Sequence, residues 1–277
     1  MLKAPLYLRS IYLIHKEIRD LKADVVVNFY EMMTGLTYAL YPPKVPYVSV
    51  AHQYSFLHPE YSFPNESKIE LFLLKFFTYI TCLRSKKLFA LSMTEKKNIA
   101  GSRVVVVPPL LREEILQKTP TAGNYLHGYL LNATYADEII EYQKQHPEVY
   151  MYFFWDKKDA PDQTVINDHL TFHKLDDKLF IDYMVGCKGY ATTAGFESVC
   201  EAMYLGKPVL MVPTHIEQCC NAHEAVLAGA GIADDRFNID KLVNYLPDHH
   251  GNTDFHRWAQ QSEQRWREAF REFLTPN

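Results

Sequence analysis

A short stretch in the C-terminal half of the chain has the residue types and spacing of an anion-binding turn. Gly195 follows an apolar run that ends at Thr192 or Thr193, and residues from Ser198 to Tyr204 have helical spacing. We expect Gly195 to allow a tight turn between the strand and the helix. Such a turn presents backbone N–H groups and the positive end of a helix dipole. The chemistry that this pattern favours is the binding of a diphosphate.

Acidic and amide side chains follow this turn at positions that suit hydroxyl groups. Glu201 comes one helical turn after Ser198, so its carboxylate would face the same opening and accept hydrogen bonds from vicinal hydroxyls, such as those of a ribose. Glu217 and Gln218 follow the next predicted strand and would lie on the same rim, where they suit sugar hydroxyls. A helix N-terminal hydroxyl and an exposed acid remain the alternative interpretation of Ser198 and Glu201.

Two motifs can be read from these residues. Gly195, Ser198 and Glu201 fit G-x-x-[ST]-x-x-E, and Glu217, Gln218, Asn221 and Ala222 fit [DE]-Q-x-x-N-A. The stretch resembles the donor-binding region of GT-B glycosyltransferases, in particular the MurG-like bacterial enzymes and the UDP-glycosyltransferases. The resemblance implies two Rossmann-like, doubly wound domains and a nucleotide-sugar donor, without a cofactor.

The resemblance also implies a set of donor-binding residues. These are Thr193, Ala194, Gly195, Phe196, Ser198, Glu201, His215, Glu217, Gln218, Asn221, Lys174 and Leu175. Within this set, Ser198 and the amides around Ala194 to Phe196 would hold the diphosphate. Asn221 would support the site from behind.

The remaining members of the set are expected at the sugar and the base. His215 resembles a loop histidine of MurG-like members, whereas Lys174 and Leu175 precede a predicted helix where a base would be sandwiched. No Asp-x-Asp cluster occurs, so we expect no metal-bridged diphosphate. The five cysteines lack the spacing of a zinc site or a redox pair, and we interpret them as reduced and mostly buried.

The elements that must position these residues alternate between short apolar runs and helical segments. The predicted strands are Val25 to Phe29, Tyr47 to Ala51, Lys87 to Leu91, Val104 to Val107, Val149 to Trp155 and Val209 to Val212, with shorter ones near residues 122–131, 170–173 and 189–193. Consecutive apolar positions are typical of parallel strands that helices cover on both faces. The predicted class is α/β, doubly wound.

Length and composition predict two domains, residues 1–110 and 111–277. The stretch PPLLREEILQKTP between Val107 and Thr121 is the candidate linker, because paired prolines and charges do not suit the inside of a sheet. Residues 1–110 supply about four strands, whereas a full doubly wound domain would need ~150 residues. We therefore expect an incomplete N-terminal domain that lacks its first β-α units, through truncation or real shortening.

The catalytic base is not identified by the sequence. His52 follows the apolar strand PYVSVA, and Glu31 follows the strand VVVNFY, so each would lie at a strand end. A structural histidine and an acid favoured by a helix dipole are the competing interpretations. The usual base of such enzymes would be absent if the first units are missing.

Residues Ile69 to Leu83 are apolar nearly all round and run into basic residues up to position 87. A buried core helix is one interpretation, and peripheral membrane contact of residues 69–87 is the other. The formal charge of −4 without a basic run makes a nucleic acid an unexpected partner. No signal peptide pattern or long apolar segment occurs, so we expect a cytoplasmic protein, with the inner membrane face as an alternative location.

These observations together predict a glycosyltransferase that moves a hexose from a nucleotide-diphosphate sugar, with UDP as the nucleotide, to a hydroxyl acceptor. The acceptor would be a cell-surface glycan or a lipid-linked molecule. Two alternatives stay open: a nucleotide-sugar epimerase, and a non-catalytic remnant that only binds the donor.

Overall fold

The structure is a computed structural model that describes residues 4–275. Its first part contains α1 (Ala4–Asp20), β1 (Val26–Asn28), α2 (Met32–Leu40), β2 (Tyr47–Ala51), a 3-10 helix (His52–Leu57), α3 (Lys68–Thr81), β3 (Lys87–Leu91), β4 (Val104–Val107) and α4 (Glu113–Leu116). There follow β5 (Tyr125–Leu130), a 3-10 helix (Ala133–Tyr135), α5 (Ala136–Gln145), β6 (Tyr150–Trp155), β7 (Gln163–Asn167), β8 (Leu170–Lys174), α6 (Asp177–Gly186), β9 (Gly189–Thr192), α7 (Phe196–Tyr204), β10 (Val209–Met211) and α8 (Ile216–Leu227). The last elements are β11 (Gly231–Ala233), α9 (Ile239–Tyr245), a 3-10 helix (Leu246–Asp248), α10 (Thr253–Gln260) and α11 (Ser262–Leu274).

The chain forms two compact units. One consists of the residues up to Pro109 together with those from Gln260 onward, and the other is Leu110–Ala259. The division after Pro109 falls one residue before the predicted domain boundary. The predicted C-terminal domain also included the last helix, whereas the structure groups α11 with the N-terminal unit. Helices α10 and α11 are separated at Gln261.

The N-terminal unit has a four-stranded parallel sheet in the order β1-β2-β3-β4. Side chains of a strand alternate between the two faces of a sheet. On one face Val48, Val50 and Phe89 pack against Trp266 and Phe270 of α11. This apolar seam explains why the last helix belongs to the N-terminal unit: its aromatic side chains cover a sheet face that would otherwise be exposed.

The opposite face of the same sheet packs against the residues of α2, α3 and the first 3-10 helix. Ala51, Leu88 and Ala90 form a buried cluster there with Tyr54 and Cys82. The strands lie across the sheet in the order in which they occur in the chain, so this sheet has no reversal of strand order. The four strands agree with the number predicted for residues 1–110.

The predicted buried core helix at residues 69–83 is wrong for most of its side chains. In α3 only Thr78 and Thr81 are buried. The large apolar residues Ile69, Phe72, Leu73, Phe76, Phe77 and Tyr79 are exposed. The helix therefore buries two threonines and turns an apolar face outward. We call this outward set of six residues the α3 apolar face.

The C-terminal unit has a seven-stranded sheet in the order β11-β10-β9-β5-β6-β8-β7. All of its strand pairs are parallel except β7 with β8. The chain first builds outward from β5 to β6 and β8, and then returns to the other side of β5 with β9, β10 and β11. This reversal is the doubly wound arrangement that the sequence predicted.

The core of this unit lies on both faces of the sheet. Leu126, Met151 and Phe172 belong to the cluster on the α5 and α9 side. Gly128 lies in the middle of β5, and a Cβ atom there would come within 2.0 Å of the Phe153 ring. Glycine is required at this position because the ring crosses directly over the backbone.

Candidate functional site

The reversal of strand order in the C-terminal unit defines a crevice. Strands β5 and β9 are neighbours, and Tyr129 of β5 pairs with Thr192 of β9 near their carboxyl ends. On the β5 side of this pair the sheet continues to β6 and β8, and on the β9 side it continues to β10 and β11. Ligands of open α/β sheets bind at such a switch point, outside the carboxyl ends of the strands. The predicted diphosphate turn begins at this point, directly after Thr192.

The backbone of the turn differs from the expectation in one respect. The residue with left-handed backbone is Ala194, with φ of 62°, whereas Gly195 has an ordinary φ of −65°. Gly195 is therefore not needed for the turn itself. A non-glycine residue held at positive φ is strained and is found where surrounding contacts fix it, often at functional sites. Here Asn221 contributes, because its Nδ2 donates a hydrogen bond of 3.2 Å to the Ala194 carbonyl oxygen.

Helix α7 begins at Phe196, immediately after this turn. Its N-cap residue, Gly195, has no side chain to receive the first-turn amides. The N–H groups of a first helical turn have no acceptor within the helix, and they carry its positive partial charge. Ser198 lies in this turn, and its hydroxyl donates to the Gly195 carbonyl at 3.3 Å. The arrangement has the elements of an anion site.

Glu201 is buried in α7, with 5% of its side chain exposed. Arg112 donates from Nε to Oε1 and from Nη2 to Oε2 of this carboxylate, both at 2.6 Å. The hydrogen bond to Glu201 raises the pKa of Arg112 above its ordinary value, against the opposing effect of burial. A two-bonded pair of this kind fixes the plane of the carboxylate.

A third charged group joins this pair to the next part of the site. Nη1 of Arg112 lies 3.9 Å from Oδ1 of Asp177, in the first turn of α6. The residues beside Asp177 line a surface depression of about 520 Å³. Lys174 and Leu175, predicted to hold a base, line the same depression. One guanidinium group therefore contacts Glu201 and approaches Asp177, whose sequence neighbours line the depression.

The second motif lies at the start of α8. Gln218 is buried, and its Oε1 accepts hydrogen bonds from the backbone N–H and the hydroxyl of Thr214 at 2.9 and 2.8 Å. These bonds fix the loop after β10. Glu217 lies half-buried in the first turn of α8. His215 is exposed at the N-cap and makes no side-chain cap bond.

The two catalytic candidates lie in the N-terminal unit, each just after one of the neighbouring strands β1 and β2. Glu31 follows β1 and caps α2, where its Oε1 accepts from the Met33 N–H at 3.2 Å. His52 is the first residue of the 3-10 helix after β2, with its ring edge toward Phe56. The contact of Glu31 is the helix-capping role that the sequence left as its alternative. Neither residue is assigned a catalytic role by these contacts.

Sequence reasoning missed Arg112 altogether. It lies in the stretch predicted as a linker, where α4 and the buried side chain of Ile115 show that the chain packs on the C-terminal unit. A bidentate partner 89 residues away leaves no local pattern. Among residues 4–275, no group of three or more His, Cys, Asp or Glu side chains is placed to hold a metal ion.

The solved structures that resemble this chain include glycosyltransferases and a putative epimerase. A glycotransferase of kitacinnamycin shares 12% identity and a TM-score of 0.65, over 96% of this chain and 79% of that one. LpCGTa, in complex with UDP, shares 12% identity and a TM-score of 0.62, over 96% of this chain and 80% of that one. A putative UDP-N-acetylglucosamine 2-epimerase from Listeria monocytogenes shares 14% identity and a TM-score of 0.59, over 99% of this chain and 81% of that one. Identities this low establish the fold alone.

The two Rossmann-like units and these neighbours confirm that the protein has the GT-B fold of glycosyltransferases. The model of the family described as glycosyl transferase family 1 matches residues 2–248. The chain therefore belongs to glycosyl transferase family 1, as its two motifs indicated. No curated protein matches the chain in sequence.

Proposed function

We propose that the C-terminal unit binds a UDP-sugar and that the protein transfers its hexose to a hydroxyl acceptor. One observation carries the proposal: the turn before α7 and the depression beside Lys174 lie at the carboxyl ends of strands of one sheet, and Glu201 follows this turn in α7. A diphosphate, a ribose and a base are joined in this order in a nucleotide diphosphate. Membership of glycosyl transferase family 1 supports the same assignment.

Each part of the donor has a proposed partner. The first turn of α7, with Ser198, would hold the diphosphate, and Glu201 would accept from the ribose hydroxyls. Lys174 and Leu175 would lie beside the base. Glu217 and His215 are proposed at the sugar. In the described part of the chain, both hydrogen bonds to Gln218 use its Oε1, so its Nε2 is the group proposed to donate to a sugar hydroxyl.

The proposed chemistry needs two kinds of help. The departing nucleotide gains negative charge, which a helix N-terminus stabilises because its amides are already oriented. The attacking hydroxyl must lose a proton to a base. His52 and Glu31 are the candidates for this base, and Glu31 also caps helix α2.

Titration calorimetry with UDP, followed by turnover assays with a UDP-hexose, tests the proposal. We expect UDP to bind and Ser198→Ala to weaken its binding by about tenfold, the loss of one charge-assisted hydrogen bond. A hexose should then appear on an acceptor from a lipid or glycan pool. Wild-type protein that binds no UDP would contradict the proposal.

An epimerase is the second candidate, because a putative 2-epimerase aligns over 99% of this chain. Incubation with the UDP-sugar alone separates the two. An epimerase changes the sugar without an acceptor, whereas a transferase requires one. A third outcome, binding without any turnover, would instead identify a donor-binding protein without catalytic activity.

The α3 apolar face supports a membrane-associated acceptor. Lys68 and Lys75 are exposed on the same helix, and Arg84 and Lys86 are exposed just beyond its end. Apolar side chains flanked by basic ones are typical of surfaces that dock on anionic bilayers. We propose that this face contacts an anionic membrane, where a lipid-linked acceptor would be found.

A further inference from the structure

The pairing of Arg112 with Glu201 has a geometry that goes beyond charge neutralisation. Arg112 is the N-cap residue of α4, and Glu201 lies in the middle of α7. Two N–H groups of one guanidinium reach two oxygens of one carboxylate at 2.6 Å. A guanidinium is planar and its donors form a rigid fork. The pair therefore determines the orientation of the carboxylate as well as its charge.

Burial makes Glu201 dependent on this partner. Its side chain is 5% exposed, whereas that of Arg112 is 35% exposed. An ionised carboxylate removed from water needs an opposite charge or hydrogen bonds to remain ionised. In residues 4–275 the hydrogen bonds to its side-chain oxygens come from Arg112. Without Arg112 the carboxylate would lose both its counter-charge and its fixed plane.

The acceptor capacity of the carboxylate matches a pair of hydroxyls. An ionised carboxylate has about four lone-pair sites. Arg112 occupies two of them, one on each oxygen. One site on each oxygen remains, which is the number that two vicinal hydroxyls require.

The third contact of Arg112 indicates where these hydroxyls would come from. Asp177 lies 3.9 Å from Nη1 of Arg112, and its neighbours Asp176 and Lys178 line the depression next to Leu175. A ribose connects the base and the diphosphate of a nucleotide. Arg112 contacts Glu201 of α7 and approaches Asp177, which is next to the lining of the depression, so this pair is the one we assign to the ribose.

We propose that Arg112 is a positioning residue for ribose recognition, which orients the Glu201 carboxylate so that its two remaining acceptor sites receive the 2′ and 3′ hydroxyls. This inference rests on the proposed function. It assigns selectivity for ribonucleotides over 2′-deoxyribonucleotides to a residue outside both sequence motifs. Arg112 acts through Glu201 and makes no contact with the reacting atoms.

The test compares the binding of UDP and 2′-deoxy-UDP by titration calorimetry to the wild type, Arg112→Met, Arg112→Lys and Glu201→Gln. We expect the wild type to prefer UDP by about tenfold, the value of one hydrogen bond to a charged group. In Arg112→Met the preference should fall to less than about twofold, because UDP loses the contacts of both hydroxyls whereas 2′-deoxy-UDP loses only that of its 3′ hydroxyl. Arg112→Lys keeps the positive charge without the two-pronged guanidinium, so its preference for UDP should lie between those of the wild type and Arg112→Met.

A purely structural role of Arg112 would give a different result. It would weaken both nucleotides equally and would lower the melting temperature of the variant in proportion. Arg257→Met, which removes an exposed arginine paired with Asp254, is the matched control and should keep the full preference. Arg112→Lys and Glu201→Gln keep the inference testable if Arg112→Met does not fold.

Two outcomes separate this inference from the proposed function. If the wild type binds neither nucleotide, both fail. If UDP binds and Ser198→Ala weakens it, but Arg112→Met keeps the preference or binds UDP more tightly, only the role of Arg112 is overturned. Tighter binding would mean that Arg112 occupies the ribose position and must leave it.

Discussion

Arg112 and Glu201 are 89 residues apart in the chain, and yet they form a bidentate ion pair with two hydrogen bonds of 2.6 Å. The pair joins the start of the C-terminal unit to the helix that carries the first motif. It therefore couples two properties that can be measured separately. One is the folding stability of the unit, and the other is the nucleotide selectivity proposed above.

The stability of the unit should depend on this pair. Glu201→Ala removes the buried partner and leaves Arg112 without its acceptor. Loss of one partner from a fully buried pair costs several kcal/mol. Because Arg112 is one-third exposed and can be resolvated, we expect a decrease of only about 1–2 kcal/mol in the free energy of unfolding. Urea denaturation followed by circular dichroism measures it.

Glu197→Ala is the control for this change, because Glu197 is an exposed acid of the same helix. Surface substitutions of this kind change stability by less than about 0.5 kcal/mol. The double variant Arg112→Ala with Glu201→Ala completes a thermodynamic cycle. Additive effects of the two single substitutions would mean that the pair contributes nothing beyond its separate side chains.

Gly195 should be dispensable for folding but not for nucleotide binding. Its φ of −65° suits any residue, and an added Cβ would meet only Ser198 Oγ, at 3.7 Å. We therefore expect Gly195→Ala to keep its melting temperature within about 2 °C. A methyl group there would project toward the proposed diphosphate site, where close approach of the backbone is needed. UDP affinity, measured by calorimetry, should fall about tenfold or more.

Gly206→Ala is the control for Gly195→Ala, with the opposite effects expected on stability and UDP affinity. The φ of Gly206 is +67° and nothing lies within 4 Å of an added Cβ, so Gly206→Ala strains the backbone without filling space. We expect a loss of about 1 kcal/mol in stability and unchanged UDP affinity. Equal UDP affinity in Gly195→Ala and the wild type would argue against a diphosphate at the α7 turn.

Acidification should destabilise the protein through a buried histidine. His127 in β5 is completely buried, its ring stacks on Tyr190, and burial lowers its pKa to about 3. In the unfolded chain its pKa returns to about 6.5. The unfolded state therefore binds the extra proton between these values, so this contribution to stability is complete above about pH 6.5 and is lost as the pH falls toward 3. From pH 7 to 5 we expect a loss of about 2 kcal/mol from His127.

Urea denaturation at several pH values checks this expectation. His127→Phe should reduce the slope of unfolding free energy against pH by about one proton between pH 6 and 4. Some slope should remain, because burial also lowers the pKa of His173. His250→Gln, at an exposed histidine, serves as the control. An unchanged slope in His127→Phe would show that His127 has the same pKa in the folded and the unfolded protein.

Strand positions could be predicted where apolar runs are continuous. The predicted bounds of β2, β3 and β4 agree with the structure, because strands covered on both faces need apolar residues at every position. Strand β7 was missed, since four of its five residues, Gln163–Asn167, are exposed at the sheet edge and its two apolar residues, Val165 and Ile166, are flanked by polar ones. A strand with little buried surface leaves no hydrophobic pattern.

The candidate site was only partly readable for a related reason. Motif spacing placed Ser198 and Glu201 on one helix, and the structure has them in α7. The positive φ of Ala194 and the partner of Glu201 depend on contacts with Asn221 and Arg112, which are distant in sequence. Hydrophobicity also cannot tell which side of a helix faces outward when both sides are apolar, as the exposed face of α3 demonstrates.

The α3 apolar face gives the last prediction, the binding of the protein to anionic vesicles. Phe72 and Phe76 stack at 6.3 Å, and 65% of the Phe72 side chain is exposed. Burial of such side chains in the interface gains about 1.5–3 kcal/mol each, and each nearby lysine adds about 1 kcal/mol on an anionic surface. We expect the wild type to sediment with phosphatidylglycerol vesicles at low salt, and much less with phosphatidylcholine vesicles.

The variant Phe72→Ser with Phe76→Ser should lose this binding by about tenfold or more. Lys68→Glu with Lys75→Glu should weaken the binding to phosphatidylglycerol vesicles. It should leave the weaker binding to phosphatidylcholine vesicles unchanged, because the apolar face stays intact. Val165→Ser is the matched control, since Val165 is exposed on β7 of the other unit. If the serine variant binds vesicles like the wild type, the face does not dock on membranes. If it instead converts a dimer to a monomer in size-exclusion chromatography, a second copy of the chain covers the face, because the same apolar area is then buried between proteins.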